Sequence, residues 1–205
     1  KNNMAIIYLV RHGQNEMVGK KLAGRLPGVH LNEQGHAQAR QLAAELSALP
    51  IKAVFSSPLE RTQQTAEPIA RIHNLPVITE PGLIEIDFGA WQAKSLKQLR
   101  RNRLWRDVQE FPDGFSFPSG ESFVAAQTRI VHSLQSISQT CADTDKIICV
   151  SHCDPIRLAV AHFLGMPLNA FHRLRIDTAL VTVLNLAEDN VYLGPIKALE
   201  GVFAG

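Results

Sequence analysis

The chain has 205 residues, an apolar content of 45% and a net charge of +2. That length suits a single domain (1–205) with a substantial core, and the near-neutral balance excludes neither enzyme nor binder but argues against nucleic acid or a charged membrane surface as partner. No apolar run approaches a membrane span, no secretory leader is legible, and three cysteines (Cys141, Cys149, Cys153) do not make a disulfide framework, so the expected setting is reducing and cytoplasmic.

The first apolar run, Met4 to Val10, is short, continuous and β-branched, which predicts a strand buried on both faces. Arg11-His12-Gly13 follows at once and places a cation and a candidate nucleophile at the C-terminal end of that strand, where open α/β sheets bind ligands. Residues 14–32 carry Gly19, Gly24, Pro27 and Gly28 with little periodicity and read as a long loop, a class that tends to be functional. Asn32 is expected to cap a helix whose buried stripe is Ala39, Leu42, Ala43 and Leu46, and Pro50 ends it. Ala53-Val54-Phe55 reads as a second strand. Ser57, Pro58 and Glu60 then have the pattern of N-cap, N1 and N3 in a capping box. Arg61 therefore falls in a first helical turn, where free N–H groups and the helix dipole favour an anion and a guanidinium adds a fork that matches phosphate. Leu59, Ala66, Ile69 and Ala70 should face the core, and Pro68 should kink or end this helix.

Val77-Ile78 reads as a short strand leading to Leu83–Gly89. There Glu85 and Asp87 sit among Ile84, Ile86 and Phe88, surroundings that raise a carboxyl pKa towards that of a general acid. A strand with alternating exposed acids is the plainer alternative. Residues 94–110 form a basic helical segment anchored by Leu96, Leu99 and Trp105, either a solvated face or a lid presenting cations to an anionic substrate. Residues 111–120 are loop-like. A long helix should run from Glu121 to about Gln139, burying Phe123, Ile130, Val131, Leu134 and Ile137. Lys146 to Val150 is a further buried strand, ending in Ser151-His152-Cys153-Asp154-Pro155. Asp154 is the expected N-cap, with Pro155 at N1, of a helix that buries Ile156, Ala159, Val160 and Phe163. Ala179–Leu186 and Val191–Ile196 look like two closing strands joined by a polar turn at 188–190, a hairpin at the sheet edge.

This alternation argues for an α/β fold, a three-layer α/β/α sandwich around a mostly parallel sheet. In such a sheet the C-terminal strand ends share one edge, so His12, Arg61 and His152 can converge there, and Glu85 joins them if its loop crosses the same edge. Arginines, histidines and a carboxyl group around one point suit a tetrahedral anion. One neutral histidine nitrogen can attack phosphorus, the other can steady the equatorial oxygens, and a carboxylic acid can protonate the departing oxygen and then act as base on water. That chemistry calls for no metal and no cofactor. A metal site at Cys149, His152 and Cys153 is disfavoured because Cys149 should point into the sheet. There is no Walker-type glycine loop.

Leu9-Val-Arg-His-Gly13, Ser56-Ser-Pro-Leu-Glu-Arg-Thr62 with Thr65-Ala66, Glu85-Ile-Asp-Phe-Gly-Ala-Trp91 and Ser151-His152 before a helix together resemble the histidine phosphatase superfamily, in the branch (branch 1) that includes the cofactor-dependent phosphoglycerate mutases. Gly24-Arg-Leu-Pro-Gly-Val-His-Leu31 is similar to the substrate-loop region of that family. The resemblance spans residues 5 to 185 in the family's order. It implies the phosphoglycerate mutase-like fold, a phosphohistidine nucleophile at His12, and a phosphate pocket of Arg11, Arg61 and His152. It further implies a proton donor at Glu85 rather than Asp87, and substrate contacts from Gln14, Asn15, Gly24 and Cys153 beside the pocket residues. Cys153 stands where the family usually has glycine. Gln14-Asn15 replaces the common Glu or Gln followed by Thr or Ser, Met17-Val18 replaces the Trp-Asn pair of the mutases, and Gln92-Ala93 replaces a common Glu-Gly. Residues 92–120, the variable lid segment, lack the long arginine-rich insertion of the mutases. These departures favour a phosphatase, a phosphomonoester hydrolase acting on a small molecule. A mutase-type phosphoryl transfer is the alternative, and a non-catalytic phosphate or peptide binder on the same fold is a third reading.

Overall fold

The computed structural model describes residues 5–142, 145–186 and 190–193. Six strands form one sheet: β1 (Ile6–Arg11), β2 (Ile51–Ser56), β3 (Val77–Thr79), β4 (Lys146–Ser151), β5 (Val181–Asn185) and β6 (Asn190–Leu193). Their order is β3-β2-β4-β1-β5-β6. The four strands from β3 to β1 are parallel, and β5 and β6 add antiparallel to the far edge. Met4, the turn residues 188–189 and residues 194–196, which the sequence reading included in strands or turn, lie outside the described residues.

The continuous apolar runs of β1 and β4 are explained by helices on both faces. In β1, Ile6, Tyr8 and Val10 pack to one side with Leu42, Leu46 and Ile69, from α1 (Glu33–Leu46) and α2 (Glu60–Ile72). Ala5, Ile7 and Leu9 pack to the other with Leu134, Ile156 and Val160, from α5 (Phe123–Gln139) and α6 (Cys153–Phe163). Strand side chains alternate between faces, so a strand with helices on both sides must be apolar at every position. This is the three-layer α/β/α sandwich expected. Among the described residues no helix is long and apolar enough to cross a membrane.

Several local expectations are corrected. Asn32 caps α1 as predicted, its side chain accepting from Gly35 N. The capping box at α2 does not form: Leu59 occupies the N-cap with no side-chain bond, because Ser57 Oγ is engaged elsewhere and Glu60 Oε1 accepts from Gly28 N at 2.9 Å. Pro68 does not end α2, which continues to Ile72 with Ala66, Ile69 and Ala70 buried on either side of it. Packing of that face outweighs the loss of one helical N–H. Asp154 lies inside α6 rather than capping it, since His152 takes the N-cap position and Asp154 instead pairs with Arg157 at 3.2 Å. The Glu85 stretch is no strand; it is an extended link between two short 3₁₀ turns, Pro81–Leu83 and Gly89–Trp91. The basic segment is not one helix but two short ones, α3 (Leu96–Leu99) and α4 (Trp105–Glu110).

Candidate active site

The register of the parallel strands brings three strand ends level: Arg11 lies beside Ser151, and Ser56 beside Val150. The chain leaving each strand stays in that line. His12 N donates to Ser151 O and Ser57 N donates to Val150 O, both at 3.0 Å. Gly13 lets the loop lie against α1, since a Cβ there would come within 2.7 Å of Gly35 O. Gly13 N donates to Thr65 Oγ1 at 3.0 Å, which ties the same loop to α2.

The His12 ring is 4% exposed, and its Nδ1 is 2.7 Å from Gly13 O. A carbonyl only accepts, so Nδ1 carries the proton and Nε2 presents a lone pair. Burial first, and the Arg61 cation second, hold the ring's pKa down at about 3, so the imidazole is neutral near pH 7. The His152 ring stands 5.3 Å away at 62° and is fully buried. Its Nε2 is 2.8 Å from Ser57 Oγ, while its Nδ1 has no partner. Burial, followed by the cations of Arg61 and Arg11 and by His12, keeps this ring well below the usual histidine range.

Arg61 is 1% exposed. Its Nη2 donates to Gly24 O at 2.7 Å, but Nε and Nη1 are buried with no partner. Arg11 repeats the pattern, with Nη1 donating to Ile176 O at 2.6 Å and Nε buried and unpaired. Buried donors without acceptors are rare, and each is unfavourable by about 1–3 kcal/mol. Three such arginine nitrogens, with His152 Nδ1 as a fourth unpaired nitrogen beside them, can act as an anion cradle.

Glu85 reaches this edge. It is buried, and its Oε1 accepts from Ile86 N at 3.0 Å. Burial, then the Asp154 carboxylate, push its pKa up to about 7 against the opposing pull of Arg61 and Arg11. Its loop is held by charged side chains that the sequence pattern did not single out. Arg25 Nε donates to Glu85 O at 2.8 Å, Arg129 Nη1 donates to the carbonyls of Gly82 and Ile84, and Glu121 bridges the two arginines. Asp87 turns back on its own chain, accepting from Gly89 N.

A cavity of about 380 Å³ opens at this edge, lined by Arg11, His12, Asn15, Gly24, Arg61, Glu85 and Cys153 among others, while the fully buried His152 is absent from its lining. Gln14 is not in that lining. Its backbone instead joins the loop to α1, with its carbonyl accepting from Asn32 N and its N–H donating to Gln38 Oε1. Asn15 Oδ1 accepts from Met17 N and Val18 N and shapes the loop at the cavity wall. The Cys153 thiol is pushed up to about 12 by burial and then by Asp154, and its Sγ lies 3.6 Å from Ile176 O, the carbonyl that also holds Arg11. A neutral, unreactive thiol is therefore what Cys153 adds to the wall. Ser57 and Asp154 also bear on the site, and the sequence read both only as helix caps. The signal that could have found Ser57 is its place in the Ser56–Thr62 motif rather than its capping pattern. Among the described residues no three His, Cys, Asp or Glu side chains are grouped to hold a metal ion.

A neutral imidazole with a free lone pair, a cradle of unpaired donors and a carboxylic acid near neutrality can pass a phosphoryl group to nitrogen and on to an acceptor oxygen. Comparison with known proteins agrees. Residues 7–195 match the histidine phosphatase superfamily (branch 1). Phosphoserine phosphatase 1 of Hydrogenobacter thermophilus is 33% identical over 193 residues, 90% of this chain and 88% of the relative. A 2,3-bisphosphoglycerate-dependent phosphoglycerate mutase of Thermoplasma acidophilum is 31% identical over 206 residues, 97% of this chain and 96% of the relative. The crystal structure of a phosphoserine phosphatase from Entamoeba histolytica, in complex with 3-phosphoglyceric acid, superposes with a TM-score of 0.80 at 25% identity, covering 94% of this chain and 96% of that one. The chain belongs to branch 1 of the histidine phosphatase superfamily.

Proposed function

We propose that the protein hydrolyses small-molecule phosphomonoesters through a covalent phosphohistidine on His12. The observation that carries this reading is the set of four buried, unpaired nitrogens of Arg11, Arg61 and His152 beside a neutral His12 ring. His12 Nε2 attacks phosphorus, the ester P–O bond breaks, and Glu85 gives its proton to the departing oxygen. Arg11, Arg61 and His152 Nδ1 hold the equatorial oxygens as charge builds on them. Water then attacks phosphorus while the Glu85 carboxylate takes its proton. The N–P bond breaks, inorganic phosphate leaves, and both side chains return to their starting states. Cys153 N, at the first position of α6, and the backbone of the Gly24 loop complete the pocket wall.

Mutase chemistry differs only in the acceptor, a second substrate oxygen in place of water. The Thermoplasma mutase aligns with this chain almost end to end, so the length of residues 92–120 does not by itself separate the reactions. Met17-Val18, in place of the Trp-Asn pair of the mutases, supports water as acceptor. The test is turnover of an aryl phosphate in EDTA, with acid-labile phosphoenzyme trapped in parallel. Turnover and a phosphohistidine in wild type, both lost in His12→Ala, are expected. A phosphoenzyme formed from 2,3-bisphosphoglycerate without net hydrolysis would establish the mutase instead.

A further inference from the structure

A second cavity, of about 300 Å³, adjoins the catalytic one. The two share five wall residues, Leu22, Phe88, Leu96, Asp154 and Arg157. The far side of this chamber is aromatic: Trp91, Trp105, Phe117 and Phe123, with Val108 beside them. Trp91 and Trp105 are nearly parallel, 15° apart with centroids at 6.3 Å, and Phe117 meets Trp91 edge-on at 5.6 Å. Trp105 is half-buried and comes from α4, in the lid segment. Polar groups gather at the junction, where Arg157 Nη1 and Asp154 Oδ1 pair at 3.2 Å and Arg157 Nε is buried without a partner.

Trp91, Phe117 and Phe123 are nearly fully buried, so a ring entering this space meets chiefly the half-buried Trp105, gaining apolar burial and an edge-to-face or offset-stacked contact there. A second carboxylate or phosphate gains little there. The cation at the junction is already paired, and the Asp154 carboxylate repels another anion. We propose, resting on the hydrolase reading above, that the leaving group of the substrate carries a flat aromatic or heterocyclic ring that seats in this chamber. The substrate class is then phosphomonoesters of ring-bearing alcohols, in contrast to the small carboxylate substrates named for the relatives above. The unpaired Arg157 Nε suits a hydrogen-bond acceptor on the ring's edge.

The chain's two tryptophans both line the chamber, so their emission reports its occupancy without any turnover. The experiment titrates the intact protein with two non-hydrolysable probes, benzylphosphonate and methylphosphonate, and compares kcat/KM for 2-phenylethyl phosphate and phosphoserine. Benzylphosphonate should change tryptophan emission and bind at least about tenfold tighter than methylphosphonate, and 2-phenylethyl phosphate should be preferred by a similar factor. Trp105→Ala, with Trp105→Leu as a smaller change, should bring both ratios towards one. Equal affinities with unaltered emission, or a tenfold preference for phosphoserine, overturns the proposal. Ring-selective binding with no turnover of any phosphomonoester would retain the ring site and overturn the hydrolase reading instead.

Discussion

Raising the pH through 7 should switch off the first half-reaction. Glu85 must be protonated to release the leaving group, and burial with Asp154 places its pKa at about 7. His12 must be neutral to attack, and burial with Arg61 places its pKa at about 3. The reactive combination therefore dominates between these values. Above 7, kcat/KM should fall about tenfold per pH unit, so that pH 9 lies roughly 10² below the plateau. The effect should be large for an alkyl phosphate, whose poor leaving group needs the proton, and shallow for an aryl phosphate, whose phenolate departs unaided. Asp154→Asn removes the carboxylate that pushes Glu85 upwards and releases Arg157 from its ion pair, so the alkaline limb should move to lower pH. The assay is kcat/KM from pH 4 to 9 at constant ionic strength, for both esters and both proteins. The substrate's own second ionisation near 6 shapes the acid side in every case, so the difference between the proteins isolates Glu85. An alkaline limb that stays in place in Asp154→Asn, and persists in Glu85→Gln, would refute this reasoning.

His12→Ala should abolish turnover while vanadate binding, measured by calorimetry, partly survives on the arginines; more than a few per cent activity would contradict the nucleophile assignment. Arg61→Ala should lower kcat by about 10²–10³, the usual effect of deleting one preorganised donor, measured on the same alkyl ester. Ser57→Ala frees His152 Nε2 from its only hydrogen bond among the described residues. It should lower kcat about tenfold, redistribute the proton between the two ring nitrogens in ¹⁵N spectra, and be rescued by Ser57→Thr. Glu85→Gln should raise thermal stability at pH 8 and change it little at pH 4. Glu85 has its folded pKa raised from 4.5 to about 7, so the native state loses stability as pH climbs through that window, by up to about 3 kcal/mol, and the amide removes this loss.

The sheet was legible because β1 is apolar from Ile6 to Val10 and β4 from Ile147 to Val150, continuous runs that strands covered on both faces sustain. The convergence of His12, Arg61 and His152 followed from strand-end placement alone, since parallel strands share one edge. What failed was local capping. Ser57-Pro58-Leu59-Glu60 satisfies every local rule for a capping box, yet Ser57 bonds a histidine 95 positions away and Glu60 bonds the Gly28 loop. A capping bond and a buried bond to imidazole are similar in strength, and tertiary packing chooses between them with information the local pattern lacks. The support of Glu85 was illegible for the same reason: Arg25 lies 96 positions from Glu121, and nothing in the sequence marks those two and Arg129 as one network. Residues 94–110 were read as one basic helical segment with Leu96, Leu99 and Trp105 as its apolar anchors. The break at residues 100–104 appears only where Trp105 turns in to stack on Trp91.

The charges around the cradle balance only when a dianion is present. Near pH 7 both histidines are neutral, and Glu85 is close to its midpoint. With Glu85 protonated, as release of the leaving group requires, Arg11 and Arg61 leave about two positive charges to meet the two negative charges of a phosphoryl group. Arg61 acts twice in this balance. In the proposed reaction its unpaired nitrogens hold the phosphoryl oxygens, and its charge also holds down the pKa of both histidines. A protonated His12 would bind phosphate more tightly as an ion pair but would have no lone pair with which to attack it. The buried arginine therefore moves binding from the ring to the guanidinium and leaves the ring free for chemistry. A lysine could supply the charge and three donors from one nitrogen, but not the rigid, coplanar Nε and Nη1 that stay unpaired while Nη2 bonds Gly24 O.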